Sequence, residues 1–231
     1  MGKLLRLTDV TLTDTAAPRI AHSAGISGAL NRYIAGHVNL TDGARVTSLA
    51  DYQGNNTANL WTSQGHGPLL GTDAGAGIRY LDFSATEAAK GMLRASNSAV
   101  NPVTLAVVVT TGKNSSNFIA HNGYAFARAA NGQYSMKSGA TSAYGGPSGD
   151  GWIVIVATFD GANSAMLIGG TTVSGSTLPV PAAAQGDFNL GDYQISPGAR
   201  IAEVIKWPRA LDATERTAVR TALRAHYPAA A

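Results

Sequence analysis

Residues 199–227 read Ala-Arg-Ile-Ala-Glu-Val-Ile-Lys-Trp-Pro-Arg-Ala-Leu-Asp-Ala-Thr-Glu-Arg-Thr-Ala-Val-Arg-Thr-Ala-Leu-Arg-Ala-His-Tyr, a β-rich run that passes directly into a signposted helix. Ile201, Glu203 and Ile205 alternate with Ala202, Val204 and Lys206, and Pro208 ends the ladder because it has no N–H to donate. Asp212 is placed to accept from the free amides of a first helical turn while Glu215 reaches back to it, a capping box. Val219, Leu223 and Tyr227 repeat at helical spacing with Ala218 and Ala222 beside them, and Pro228 marks the stop. The spacing predicts a helix over 212–226 lying flat on an apolar surface. Arg216, Arg220 and Arg224 stand at i, i+4 and i+8 and form one basic row. That row is read first as a solvated helix face, with an interface for an acidic partner as the alternative.

Two upstream stretches carry the same β signature. Residues 152–172 read Trp-Ile-Val-Ile-Val-Ala-Thr-Phe-Asp-Gly-Ala-Asn-Ser-Ala-Met-Leu-Ile-Gly-Gly-Thr-Thr, and residues 102–111 read Pro-Val-Thr-Leu-Ala-Val-Val-Val-Thr-Thr, both with runs of strand type. Together with Arg79 to Phe83 and Asn189 to Gly191, these segments and the closing strand, turn and helix resemble the concanavalin A-like, laminin-G-like jelly-roll domains over residues 40–228. The resemblance implies an all-β fold: a two-sheet antiparallel jelly-roll sandwich with one C-terminal amphipathic helix. It implies little about function, since this sandwich hosts lectins, glycosidases, adhesion modules and virion proteins.

Composition agrees with such a fold. The chain has 231 residues, 27 of them Gly, and only 13% charged residues, which fits many tight turns between short strands. There is no Cys, so neither a disulfide framework nor a thiolate metal site is available. The formal net charge of +3 does not imply nucleic acid as a partner. No apolar run approaches a bilayer span and the N-terminus lacks a signal-peptide core, so neither membrane insertion nor conventional secretion is expected.

Residues 1–39 are expected to be an N-terminal arm and linker, and residues 40–231 the sandwich domain. Leu4, Leu5, Leu7, Val10 and Leu12 belong to a strand-like run that needs another surface to pair with, and are read as an assembly arm. Residues 54–77 are dominated by Gly and Asn and read as loop. Asn131-Gly132 marks a hairpin turn.

Glucanase relatives of this fold carry a Glu-x-Asp-x-x-Glu strand, which Glu87, Glu203 and Glu215 do not form, so no catalytic residue is assigned and the chain is expected to be non-enzymatic. His22, His37, His66, His121 and His226 have no zinc spacing. No cofactor is expected, apart from the calcium that the laminin-G resemblance implies at a sandwich rim, for which Asp42, Asp51 and Asp73 are the ligand candidates; turn capping is the competing reading. A sugar site needs an exposed aromatic face with planar amides, since sugars present an apolar C–H face and a rim of hydroxyls. Trp61, Tyr124, Tyr134, Tyr144 and Asn122 are the glycan-binding candidates, whereas Trp152 and Trp207 are expected in the core.

Jelly roll and N-terminal arm together resemble virion structural proteins of tailed bacteriophages, especially minor tail proteins. That resemblance implies a virion location, other virion proteins as partners, a homo-oligomer, with a trimer favoured, and contact with host-surface glycan. A stand-alone bacterial carbohydrate-binding module is the alternative, and a glycoside hydrolase the remote one.

Overall fold

The computed structural model describes residues 28–53, 57–60, 67–83, 91–96, 101–111, 117–121, 123–147, 150–180, 187–192 and 198–231. Its described strands form two antiparallel sheets packed face to face. The first holds β1 (Asn31–Ile34), β4 (Leu69–Asp73), β5 (Ile78–Phe83), β7 (Val103–Thr111), β12 (Ile153–Phe159), β13 (Ala165–Ile168), β14 (Thr171–Ser174) and β16 (Ala199–Trp207). The second holds β2 (Ser48–Ala50), β3 (Thr57–Leu60), β6 (Gly91–Ser96), β8 (Ile119–His121), β9 (Tyr124–Arg128), β10 (Tyr134–Ser138), β11 (Thr141–Gly145) and β15 (Asp187–Asp192). Spatial order is β14-β13-β12-β7-β16-β5-β4 in the first, with β1 added on β16, and β11-β10-β9-β8-β15-β6-β3-β2 in the second. Among the described residues the one α-helix, α1 (Ala213–His226), follows β16 directly.

The long apolar strands are buried on both faces, which is why they read as unbroken runs rather than alternating ones. Val103, Leu105, Val107 and Val109 of β7 face the core between the sheets, while Ala106 and Val108 face a second apolar layer roofed by Val219, Leu223 and Tyr227 of α1. Trp207 is wholly enclosed in that layer, and Trp152 joins it with its indole N–H donating to Asp73 at 2.8 Å. Both tryptophans are therefore core residues, as read from the sequence.

In β16 the simple alternation fails. A bulge between Ile201 and Glu203 shifts the register, so Ile201 and Val204 face the inner core while Ala202, Ile205 and Trp207 face the helix layer. Glu203 is thereby buried beneath α1. Its carboxylate accepts from Arg32 Nε at 2.6 Å and from the Tyr227 hydroxyl at 2.8 Å.

Arg32 comes from a segment that the sequence reading assigns to the linker. Asn31–Ile34 instead runs along β16, Arg32 opposite Ile205 and Ile34 opposite Glu203, and Leu30 N–H already donates to Lys206 O. The sheet thus begins before residue 40. Hydrophobic periodicity passes over β1 because two of its four residues are polar; each meets a buried acid, Arg32 Nε on Glu203 and Asn31 Nδ2 on Asp51 at 2.8 Å, while Arg32 Nη1 and Nη2 and Asn31 Oδ1 stay buried without a hydrogen-bond partner. The arm candidates Leu4, Leu5, Leu7, Val10 and Leu12 lie outside the described residues.

The capping box is present: Asp212 accepts from Glu215 N–H at 2.8 Å while Glu215 accepts from Asp212 N–H at 2.9 Å. At the other end His226 stacks edge-on to Tyr227 with ring centroids 4.5 Å apart. A helix C-terminus favours an imidazolium, but here burial wins; with secondary repulsion from Arg32 and His37 it pushes the His226 pKa down to about 4. The unfolded chain then holds this proton up to the ordinary range near 6.5, so stability falls as pH drops from about 6.5 towards 4. His226→Gln is expected to flatten that part of a curve of urea midpoint against pH. A slope unchanged by the substitution would mean that His226 is protonated in the fold.

Candidate functional site

Because α1 packs on β12, β13 and β7, it covers the first sheet, and no described helix lies on the second. Strand alternation sends Tyr134, Phe126, Ile119, Phe188 and Leu93 of the second sheet into the core, and their neighbours to the outer face. Following the register across the strands, Ser142, Lys137, Ala125, Ala120, Asn189 and Arg94 form one row. The two alanines lie between Lys137 on one side and Asn189 with Arg94 on the other, Ala125 buried and Ala120 half-buried. At about 4.8 Å per strand, Lys137 and Asn189 are separated by about 14 Å of backbone, a trough wide enough for a sugar ring.

The walls of the trough are polar and partly satisfied. Lys137 Nζ donates to Asn117 Oδ1 at 3.3 Å, and Arg94 pairs with Asp187, one row along on the same face. Asn189 Oδ1 is buried and has no hydrogen-bond partner, so its amide keeps an acceptor that no protein group uses. Two cations against one carboxylate leave this face with one net positive charge. Beside Lys137, two residues along β11 from Ser142, stands Tyr144, 52% exposed and opposite Ser135. Its ring is the aromatic surface of the site.

The other aromatic candidates are corrected. Tyr124 is fully buried, its ring 4.5 Å from Phe159 and its hydroxyl donating to Asn101 Oδ1 at 2.9 Å. Tyr134 is buried under Arg128 and edge-on to Phe118, and burial raises its pKa. Both occupy inward positions of their strands, as Tyr144 occupies an outward one. Trp61 and Asn122 lie outside the described residues. Lys137, Asn189 and Arg94 are not legible in the sequence because only strand pairing brings them into one row, with Asn117 joined to it through Lys137; the local signal is the outward parity of Lys137 between Met136 and Ser138.

Of the acids, Asp51 and Asp73 accept turn amides, and Asp42 meets only side chains. Asp51 accepts from Asn31 Nδ2 and from the backbone amides of Arg32 and Gln53. Asp73 accepts from Trp152 Nε1 and the amides of Gly75 and Ala76, and the Trp152 bond leads in holding its carboxyl below the ordinary range. Asp42 accepts from Thr72 Oγ1 at 3.1 Å and lies 3.8 Å from Arg79. Among the described residues no group of three or more metal-ligating side chains gathers.

The basic row on α1 is corrected as well. Arg216 is buried, donating to Leu211 O at 2.6 Å and to Thr158 Oγ1 at 3.4 Å, so it pins the helix start to β12. Arg224 is exposed and donates to Ala230 O at 3.0 Å. Arg220 is half-buried, and the three do not present one face to a partner.

No protein-family model matches the chain, and no curated protein does. Solved structures do match it in fold. Trypanosoma rangeli sialidase in complex with sialic acid superposes with a TM-score of 0.54 at 14% identity, over 86% of this chain and 33% of that one. The binding domain of botulinum neurotoxin DC in complex with SialylT superposes with a TM-score of 0.55 at 11% identity, over 87% of this chain and 52% of that one. The chain thus spans about a third of the sialidase and about half of the toxin structure. Sialidases are enzymes, and with them as structural neighbours the expectation of a non-enzymatic chain does not stand. What these neighbours and the sheet topology establish together is architecture: a two-sheet antiparallel β-sandwich with one C-terminal helix among the described residues.

Proposed function

We propose that the chain binds carbohydrate through the outer face of the second sheet, and that its preferred glycan carries a carboxylate. The observation that carries this reading is the trough itself: two alanines between Lys137 and the Asn189–Arg94 pair, with the exposed Tyr144 ring beside it. Alanines let a ring approach the sheet, an aromatic face receives its C–H side, and the amides and cations meet hydroxyls and a negative group. The neighbours include a sialidase holding sialic acid and a toxin binding domain holding SialylT, which agrees with an acidic sugar as ligand. A place in a phage particle, with virion partners and a trimeric assembly, is the reading this one displaces. Its support was the run Leu4 to Leu12, outside the described residues, and the named neighbours are sialidases and toxin binding domains.

A glycan array followed by calorimetry on the best hits is the test. Sialylated or uronate-bearing glycans are expected to bind in preference to their neutral counterparts. Tyr144→Ala should weaken binding by about 2-fold to 10-fold, the worth of one aromatic contact. Lys137→Ala should erase the preference for the acidic member of each pair. Retention of both affinity and preference in the two variants would remove the trough from the account.

A further inference from the structure

A cavity of about 230 Å³ opens on the opposite side of the sandwich, where α1 ends against the first sheet. Its walls include Ile34, Gly36, His37, Gly77, His226 and Pro228. The space exists because glycine lines it: an added Cβ at Gly77 would meet nothing within 4 Å, and one at Gly36 would touch only Ile34 Cγ2 at 3.9 Å. A water's share of liquid volume is about 30 Å³, so the cavity holds roughly eight waters' worth, less than a drug-sized pocket and about right for one substituted ring.

The polar character of the walls is electrically neutral. Arg79 donates to Val38 O at 3.1 Å and to Leu40 O at 2.7 Å and faces Asp42. Arg32 is not part of the lining: its Nε is paired with Glu203, which also takes the Tyr227 hydroxyl, and its Nη1 and Nη2 are buried without a hydrogen-bond partner. What remains for a ligand is two imidazoles. Burial first, then Arg32, holds His37 below its ordinary pKa, and His226 is lower still. At neutral pH each ring offers one N–H donor and one bare nitrogen acceptor, the mixture a hydroxyl needs. Ile34 and Pro228 supply an apolar side, and Tyr52, 46% exposed and outside the lining, stands with its ring centroid 5.3 Å from that of His37.

We propose that this cavity is a second binding site, separate from the trough, for a neutral six-membered ring bearing hydroxyl groups, of which a pyranose end group is the type. A carboxylate or phosphate would find no unpaired cation here, and an ammonium no unpaired acid. Ring size fits the volume, the apolar wall takes the C–H face, and the two imidazoles take adjacent hydroxyls.

The test follows the imidazole C–H signals of His37 and His226 by NMR at pH 7 while methyl glucopyranoside, galactopyranoside or mannopyranoside is added, with acetate and inorganic phosphate as anionic probes. At least one pyranoside is expected to move both histidines saturably, and the anions neither. Gly36→Leu, which fills the cavity from a position of ordinary backbone geometry, should weaken the pyranoside response at least tenfold; His226→Phe, which keeps a ring and removes its nitrogens, should do the same. Tyr144→Ala should leave the response intact, so failure of the trough and failure of the cavity are read separately. Silence of both histidines towards every pyranoside overturns the proposal. So does a response to acetate or phosphate alone, or a pyranoside response that survives both cavity variants.

Discussion

Arg32→Met is expected to destabilise the fold by about 3–5 kcal/mol at pH 7, the cost of stranding one member of a buried ion pair. Glu203 sits beneath α1 with no exposed side-chain surface, and burial raises its pKa even though the Arg32 guanidinium, 2.6 Å away, pulls the other way. Removing Arg32 leaves only the Tyr227 hydroxyl to hold the charge. The carboxyl then takes a proton. Its folded pKa already lies above its ordinary value, so this group favours the fold most at low pH and loses that contribution as pH rises through the raised pKa. In the variant the shift grows, so the deficit relative to the parent should be smaller at pH 5 than at pH 7. Adding Glu203→Gln to Arg32→Met should recover a large part of the loss, because a neutral amide tolerates the site. Urea midpoints of the parent, Arg32→Met and the double variant at both pH values decide it. A loss below about 1 kcal/mol, or one indifferent to pH, would mean that solvent reaches Glu203 and that β1 is not fixed to β16.

The same pair explains where sequence reading succeeds and stops. The strand at 199–207 and the helix after it were legible because their signals are local: a β-rich run, a proline, a capping box, an apolar stripe. β7, β12 and β13 were legible because strands buried on both faces are apolar throughout. β1 was not, since Asn31 and Arg32 look like linker until Asp51 and Glu203, 20 and 171 residues away, are placed against them. β3 and β4 were passed over as loop because their residues lie amid glycine and asparagine. The bulge in β16 has no composition signal, yet it decides that Glu203 meets the helix. For the site, tyrosine content was readable and tyrosine direction was not: Tyr134 and Tyr144 lie on adjacent strands, and strand parity alone buries one and exposes the other. The trough is a product of register across five strands, information that no local window contains.

Leu223→Ala is expected to cost about 2–5 kcal/mol, since it removes a wholly enclosed side chain from the layer between α1 and the first sheet. The layer has rigid partners. Val108, Val154 and Val156 are β-branched and Trp207 is held on all sides, so the neighbours cannot collapse into the space and the upper half of that range applies. Arginines on the same helix divide by what they touch. Arg216→Ala should cost about 1–3 kcal/mol, because Leu211 O loses a buried charged donor at 2.6 Å. Arg224→Ala, at an exposed position with one bond to Ala230 O, should change stability by less than about 0.5 kcal/mol. Thermal and urea unfolding of the three variants give the order Leu223, Arg216, Arg224. Equal costs for the two arginines would return Arg216 to the solvated row, and a small cost for Leu223 would mean that α1 rests on the sheet without being part of its core.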